Sequence, residues 1–173
     1  MSVIEETVPG QDRLRAVLAG CTDPVQEVTH PPVHTVEEAM PYWAQLSGEH
    51  TKNLLLKDNR GQLWLVTMRA GLRADLKALA GLLGAKRVSF ASPATLLAAL
   101  GLAPGAVSPL GLVNDATGQV RLALDRALLE AGRITCHPLV NTATVSLSSQ
   151  DFARVLERLG VRPLVLDLDP AST

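Results

Sequence analysis

Aromatic side chains are scarce in this 173-residue chain: Phe, Trp and Tyr together make up 3% of it. Proteins that hold unstacked bases do so largely on aromatic platforms, so that mode of nucleic-acid binding is poorly supplied, and the core has to be built from Leu, Ala and Val. Cysteine is scarcer still. Cys21 and Cys136 are the only two, and no leading apolar run with a cleavage site precedes them, which argues against a disulfide framework and secretion and for a cytoplasmic protein. No apolar run approaches the roughly 20 residues of a membrane span, so no membrane association is expected. The length suits one domain with a full hydrophobic core.

Several chemical signatures are missing as well. The chain has no GxSxG elbow, P-loop, HExxH or paired CxxC, which removes the usual supports of serine hydrolase, nucleoside-triphosphatase and zinc readings. His30 and His34 are four apart, but Pro31-Pro32 between them denies the pair a common helical face. Neither a metal nor a cofactor is expected.

Charge is present but unevenly placed. The net charge is −1. Residues 1–51 carry eight acids against two bases, whereas residues 52–87 carry eight bases (Lys52, Lys57, Arg60, Arg69, Arg73, Lys77, Lys86, Arg87) against Asp58 and Asp75. That basic stretch reads either as solvated helix and hairpin surface or as a phosphate-binding surface.

Periodicity and punctuation predict a helix over 10–19, a strand over 25–29, a rigid connector at 30–34, and a helix begun by the capping pattern Thr35-x-x-Glu38. That helix is expected to bend or restart near Pro41 and to end at Ser47-Gly48. Apolar runs 53–56 and 63–68 flank the turn residues Lys57–Gly61 and predict a hairpin. Helices are expected over 74–83, 93–100, 126–131 and 148–159, and strands over 88–91, 111–113, 120–125, 134–137, 142–147 and 163–168. This mixture predicts one α+β domain around a central mixed sheet, with residues 1–24 as a helical extension and 25–170 as the domain proper.

Three polar clusters stand out. Lys52-Asn53 opens an apolar strand, where a compact ammonium is either a solvated strand end or a point charge for a phosphate or oxyanion. The loop Gly105-Ala106-Val107-Ser108-Pro109 runs into Asn114-Asp115, and its glycine and proline serve backbone needs more than packing. His137-Pro138-Leu139-Val140-Asn141-Thr142-Ala143-Thr144 lies between two strands, where its polar groups either satisfy turn hydrogen bonds or orient water and a ribose hydroxyl.

Taken together, His50–Asp58, Gly105-x-x-x-Pro109 with Leu112–Asp115, and His137–Thr144 resemble the YbaK/ProX superfamily, the freestanding relatives of the editing domain inserted in bacterial prolyl-tRNA synthetases. His30–Ala39 is similar to its ProX branch. The resemblance spans 25–168 and implies a partly closed barrel flanked by helices. It also implies a trans-editing hydrolase that deacylates Ala-tRNA(Pro) through an oriented water without a covalent protein nucleophile. Deacylation of Cys-tRNA(Pro), as in the YbaK branch, and a non-catalytic module that binds aminoacyl-tRNA or a synthetase are the alternatives. On this resemblance Lys52 and His137 are the catalytic candidates. Asn53, Gly105, Ala106, Val107, Ser108, Pro109, Asn114, Asn141, Thr142 and Thr144 are candidates for substrate binding. Lys57, Arg60, Arg69, Arg73 and Lys77 would contact tRNA. The implied partner is the acceptor end of charged tRNA(Pro), with prolyl-tRNA synthetase or an elongation factor as transient partners of a monomer.

Overall fold

A computed structural model describes residues 8–168. In chain order it comprises α1 (Gln11–Leu18), β1 (Gln26–Thr29), α2 (Val36–Trp43), β2 (Glu49–Asp58), β3 (Leu63–Arg69), α3 (Leu76–Leu82), β4 (Val88–Phe90) and α4 (Pro93–Leu100). A 3-10 helix (Pro109–Asn114) follows, then β5 (Val120–Asp125), α5 (Arg126–Glu130), β6 (Arg133–Cys136), β7 (Ala143–Ser148), α6 (Ser149–Arg158) and β8 (Leu164–Leu166).

The β2–β3 hairpin is the spine. Its turn closes on one carboxylate: Asp58 Oδ1 accepts from the backbone N–H of Arg60 at 2.8 Å and of Gln62 at 3.0 Å, while Gly61 takes φ +85°. The strands alternate in which core they feed. Leu55, Leu63 and Leu65 enter a large cluster with Leu14, Leu100, Leu110 and Phe152. Leu54, Leu56, Trp64, Val66 and Met68 face a second cluster with Leu79 and Leu83 of the α3 segment. A sheet covered on both faces explains why these runs are almost continuously apolar.

Eight strands form one mixed sheet in the order β1-β7-β6-β2-β3-β5-β8, with β4 also on β2. The sheet is open, with β1 and β8 at its two ends, so the expected partial closure does not occur. One edge of β2 pairs with β3 from Thr51 to Lys57. Its other edge is divided: β6 takes Glu49 and His50 in parallel, and β4 takes Leu56–Asp58 antiparallel. Thr51–Leu54 therefore have no strand partner on that side.

Residues 111–113 are not a strand. Pro109 sits in the first turn of the 3-10 helix, and Ser108 Oγ accepts from Leu110 N–H at 3.2 Å as its cap. Residues 109–113 are all buried, and a short apolar run buried on every side has no period to distinguish strand from helix. Pro41 is accommodated inside α2, and turns through Leu46 continue beyond it, with Leu46 N–H bonded to Trp43 O at 2.9 Å.

Candidate functional site

Backbone hydrogen bonds join the connector after β1 to the segment before β7. His30 N–H donates to Thr142 O at 2.9 Å and Val33 N–H to Asn141 O at 3.4 Å, while Asn141 Nδ2 returns to Val33 O at 3.2 Å. The prolines hold this connector extended, and it delivers Thr35 as the cap of α2, with Thr35 Oγ1 accepting from Glu38 N–H at 3.2 Å. The reciprocal arm of the capping pattern lands one residue early, since Glu38 Oε2 accepts from His34 N–H at 2.9 Å.

Under α2, at the unpartnered edge of β2, lies a cleft of about 200 Å³. It is lined by Lys52, Asn53, Gly105, Val107 and His137 together with Thr51, Trp43, Ala39 and the 33–36 segment. Three motifs distant in sequence thus meet at the break in the sheet. The Lys52 side chain forms no hydrogen bond or ion pair among the described residues. Its partial burial pushes the ammonium pKa down, against the opposing pull of Glu37. Asn53 is fixed from both sides: Thr67 Oγ1 donates to its Oδ1 at 2.6 Å, and its Nδ2 reaches Thr51 Oγ1 at 3.5 Å.

His137 Nδ1 lies 2.7 Å from the carbonyl oxygen of Ala143. A carbonyl only accepts, so Nδ1 carries the proton and the neutral ring keeps its lone pair on Nε2. Burial holds the His137 pKa below the ordinary histidine range and outweighs the upward pull of the Ala143 bond, while neighbouring His30 adds a smaller downward push. His30 is held by the same logic, with Nδ1 donating to Pro31 O at 2.8 Å and Thr144 Oγ1 donating to Nε2 at 2.9 Å. Its ring stacks on Tyr42 of α2 at 5.1 Å. Thr144 is thereby buried as a support for His30 and does not line the cleft. Cys136 offers no nucleophile: its full burial pushes the thiol up to about 12, with only a small opposing effect from Ser108.

A second cavity, about 950 Å³, abuts the first and is lined by Ala106, Asn141 and Thr142 along with Pro9, Leu97 and Leu139. His34 lines both. Gly105 lines the smaller cleft only; it takes φ +88°, and a Cβ there would sit 3.1 Å from His34 Nδ1 and 3.2 Å from Asn141 Nδ2. Leu139 is the one described non-glycine residue with positive φ, +70°. A leucine in this region costs about 1–2 kcal/mol, and such strain concentrates at working sites.

Several of the expected site residues serve the scaffold instead. Ser108 and Pro109 are buried as the cap and first turn of the 3-10 helix. Asn114 is committed to Pro9 O at 3.0 Å, Leu100 O at 2.9 Å and the Arg13 guanidinium at 2.7 Å. Arg69 is occupied by Asp125 at 2.7 Å and by the Leu168 carbonyl at 2.6 Å. Lys57, Arg60, Arg73 and Lys77 are exposed, but Lys57 is five residues along β2 from Lys52, roughly 16 Å at about 3.3 Å per residue. Conversely, His34 and Trp43 line the cleft without having been singled out as site residues. His34 falls within the ProX-like segment His30–Ala39, whereas the only sequence signal of Trp43 is its position on the helix over the pocket.

The model of the aminoacyl-tRNA editing domain matches residues 30–155, which takes in all three motifs. The chain belongs to the aminoacyl-tRNA editing domain family. It is 39% identical over 157 residues to a prolyl-tRNA synthetase associated domain-containing protein 1 of Bos taurus, covering 88% of this chain and 91% of the relative. It is 37% identical over 134 residues to the prolyl-tRNA editing protein ProX of Acetoanaerobium sticklandii, covering 77% and 82%. A solved structure described as a candidate trans-editing enzyme for prolyl-tRNA synthetase superimposes with a TM-score of 0.69 at 22% identity, over 94% of this chain and 98% of the other, which shows the shared fold. Among the described residues, no helix of this editing domain is long and apolar enough to cross a membrane.

Proposed function

We propose that this editing domain hydrolyses the aminoacyl ester of mischarged tRNA(Pro), with alanine as the amino acid removed. The observation that carries the reading is the meeting of an unpaired Lys52 ammonium, a braced Asn53 amide and a neutral His137 in one cleft of about 200 Å³. An aminoacyl ester is already activated, so orienting water and stabilising the tetrahedral oxyanion is sufficient catalysis. Water oxygen adds to the ester carbonyl, the carbon–ribose oxygen bond breaks, and the proton lost by water passes to the departing ribose oxygen. Lys52 supplies the positive charge for the oxyanion or terminal phosphate, and the vicinal ribose hydroxyl or His137 Nε2 takes the water proton in transit.

Selectivity follows from volume. A hydrophobic pocket distinguishes one methylene by only about 1–3 kcal/mol, so a synthetase gains accuracy from a second site that admits the smaller product. Trp43, Ala39 and Val107 wall the cleft, and in this reading they admit alanine and reject the proline ring. Exposed Lys57, Arg60, Arg73 and Lys77 add salt-sensitive contact with the tRNA body, with a monomer as the acting species.

The test is deacylation of Ala-, Cys- and Pro-tRNA(Pro) by the wild-type protein and by Lys52→Ala. Rapid loss of alanine, intact Pro-tRNA(Pro) and a variant slowed by about 10²-fold are expected. Preferential release of cysteine would reassign the substrate, and a fully active Lys52→Ala would remove the mechanism.

A further inference from the structure

Among the described residues, Phe90 is the one aromatic ring left in the open: 61% of it is exposed, whereas Trp43, Trp64 and Phe152 are buried and Tyr42 is half-buried. Leaving such a ring in water forgoes the stabilisation that its burial would bring. Building on the ester-hydrolase reading above, we propose that Phe90 is a stacking platform for an unpaired base of the substrate's single-stranded 3′ end, on the 5′ side of the nucleotide that carries the amino acid.

Three observations converge. The first is rigidity. Phe90 pairs with Leu56 in the ladder between β4 and β2, and Ala91 N–H donates to Leu55 O at 2.9 Å, so the backbone is fixed on both sides of the ring. A ring held this way loses little freedom when a base settles on it. The second is position. Cross-strand partners share a face of the sheet, as do alternate residues of one strand, so Phe90, Leu56, Leu54 and Lys52 follow one another along a single face. Lys52 is four residues from Leu56, about 13 Å at about 3.3 Å per residue. No strand covers that interval on the Phe90 side, because β4 ends at Phe90 and β6 reaches only to His50. A nucleic-acid chain whose terminal phosphate meets Lys52 has an open path along this seam to the ring.

The third is charge. Lys57 lies opposite Ser89, and Lys86 and Arg87 lead into β4. All three are exposed, and none forms an ion pair among the described residues. An open ring beside unpaired cations suits a single-stranded nucleic acid, whose bases stack and whose phosphates need countercharge. It suits a second copy of this chain poorly, since apposing two such edges would bring like charges together.

The test compares Phe90→Ala, Phe90→Leu and Phe90→Tyr with the wild type. Phe90 belongs to none of the hydrophobic clusters, so the variants should fold, which thermal unfolding verifies. The probes are uncharged tRNA(Pro) and the same tRNA without its single-stranded 3′ end, each titrated into the protein. Phe90→Ala and Phe90→Leu are expected to weaken binding of the intact tRNA about tenfold, the scale of one base–aromatic stack, and to raise the KM for Ala-tRNA(Pro) with kcat retained. Phe90→Tyr keeps the ring and should restore the affinity, and the shortened tRNA should not distinguish the variants. Absence of binding by the wild type, full affinity in Phe90→Ala, an equal loss on the shortened tRNA, or self-association that Phe90→Ala abolishes would overturn the assignment. Hydrolysis of Ala-tRNA(Pro) by the same preparations separates the two claims. Cleavage indifferent to Phe90 sinks the platform alone, whereas Phe90-dependent binding without cleavage sinks the hydrolase reading and leaves the platform standing.

Discussion

Trp43 of α2 stacks on His50 of β2, with ring centroids 4.6 Å apart and planes 17° from parallel. This contact pins the helix over the cleft to the strand that carries Lys52. The Trp43 Nε1 hydrogen has no acceptor among the described residues, so the indole contributes through its faces. Trp43→Phe should therefore hold stability within about 1 kcal/mol, while Trp43→Ala should cost about 3 kcal/mol and loosen the amino-acid pocket. Urea denaturation checks the first quantity, and the ratio of alanine to proline release checks the second.

Lys52→Ala should lower deacylation by about 10²-fold, the scale seen when an oxyanion donor is removed, with thermal stability unchanged because Lys52 has no protein partner to lose. Lys52→Arg should recover little, since a planar fork does not replace a compact point charge. Single-turnover rates on Ala-tRNA(Pro) distinguish these outcomes.

Two pH limbs are expected. His137 is held below the ordinary value of 6.5, so its neutral form persists further into acid than a free histidine, and the acid limb of the rate should fall below that value. Because the unfolded chain takes up this proton first, the stability associated with neutral His137 is complete above 6.5 and is lost as pH drops through the window beneath it. Lys52 is depressed from 10.5, so the alkaline limb should begin earlier than a free ammonium would give. A pH–rate profile with His137→Gln, which should erase the acid limb, tests both assignments.

Gly105→Ala forces a Cβ to within 3.1 Å of His34 and 3.2 Å of Asn141 at a φ of +88°. The backbone term is about 1–2 kcal/mol. The larger effect should fall on turnover, because the added methyl presses on His34, which lines the cleft. A modest loss in denaturant midpoint beside a loss of activity greater than tenfold is the expected pattern.

Asp125 is almost fully buried and holds Arg69 through both the side chain and the backbone N–H, at 2.7 and 3.1 Å. Asp125→Ala leaves a guanidinium without its partner and should cost about 3–5 kcal/mol. It lies away from the cleft, so at temperatures where the variant is folded, its deacylation rate per folded molecule should match wild type.

The sequence disclosed most of the frame because each helix carries its own punctuation. Ser92 before α4 with Pro93 as its first residue, and Gly101 after it, mark both ends, and Gly101 takes the left-handed conformation that such a stop requires. Lys52, Asn53 and His137 were legible through motif order. The 3-10 helix was not, since Pro109–Asn114 is apolar on every side and its shape is decided by packing against α4. Nor was the different use of neighbours in the Gly105 loop, where Gly105 and Val107 line one chamber, Ala106 the other and Ser108 neither. The basic stretch misled on Arg69, whose charge is balanced by an aspartate 56 positions away.

The division of the free edge of β2 between β6 and β4 also limits what evolution or engineering can do with this domain. Extending the two neighbours until they meet would complete a ladder along Thr51–Leu54 and strengthen the sheet with new backbone hydrogen bonds. It would also occupy the edge from which Lys52 and Asn53 reach their cleft. Selection for thermal resistance alone should therefore favour variants that seal this seam and lose their substrate.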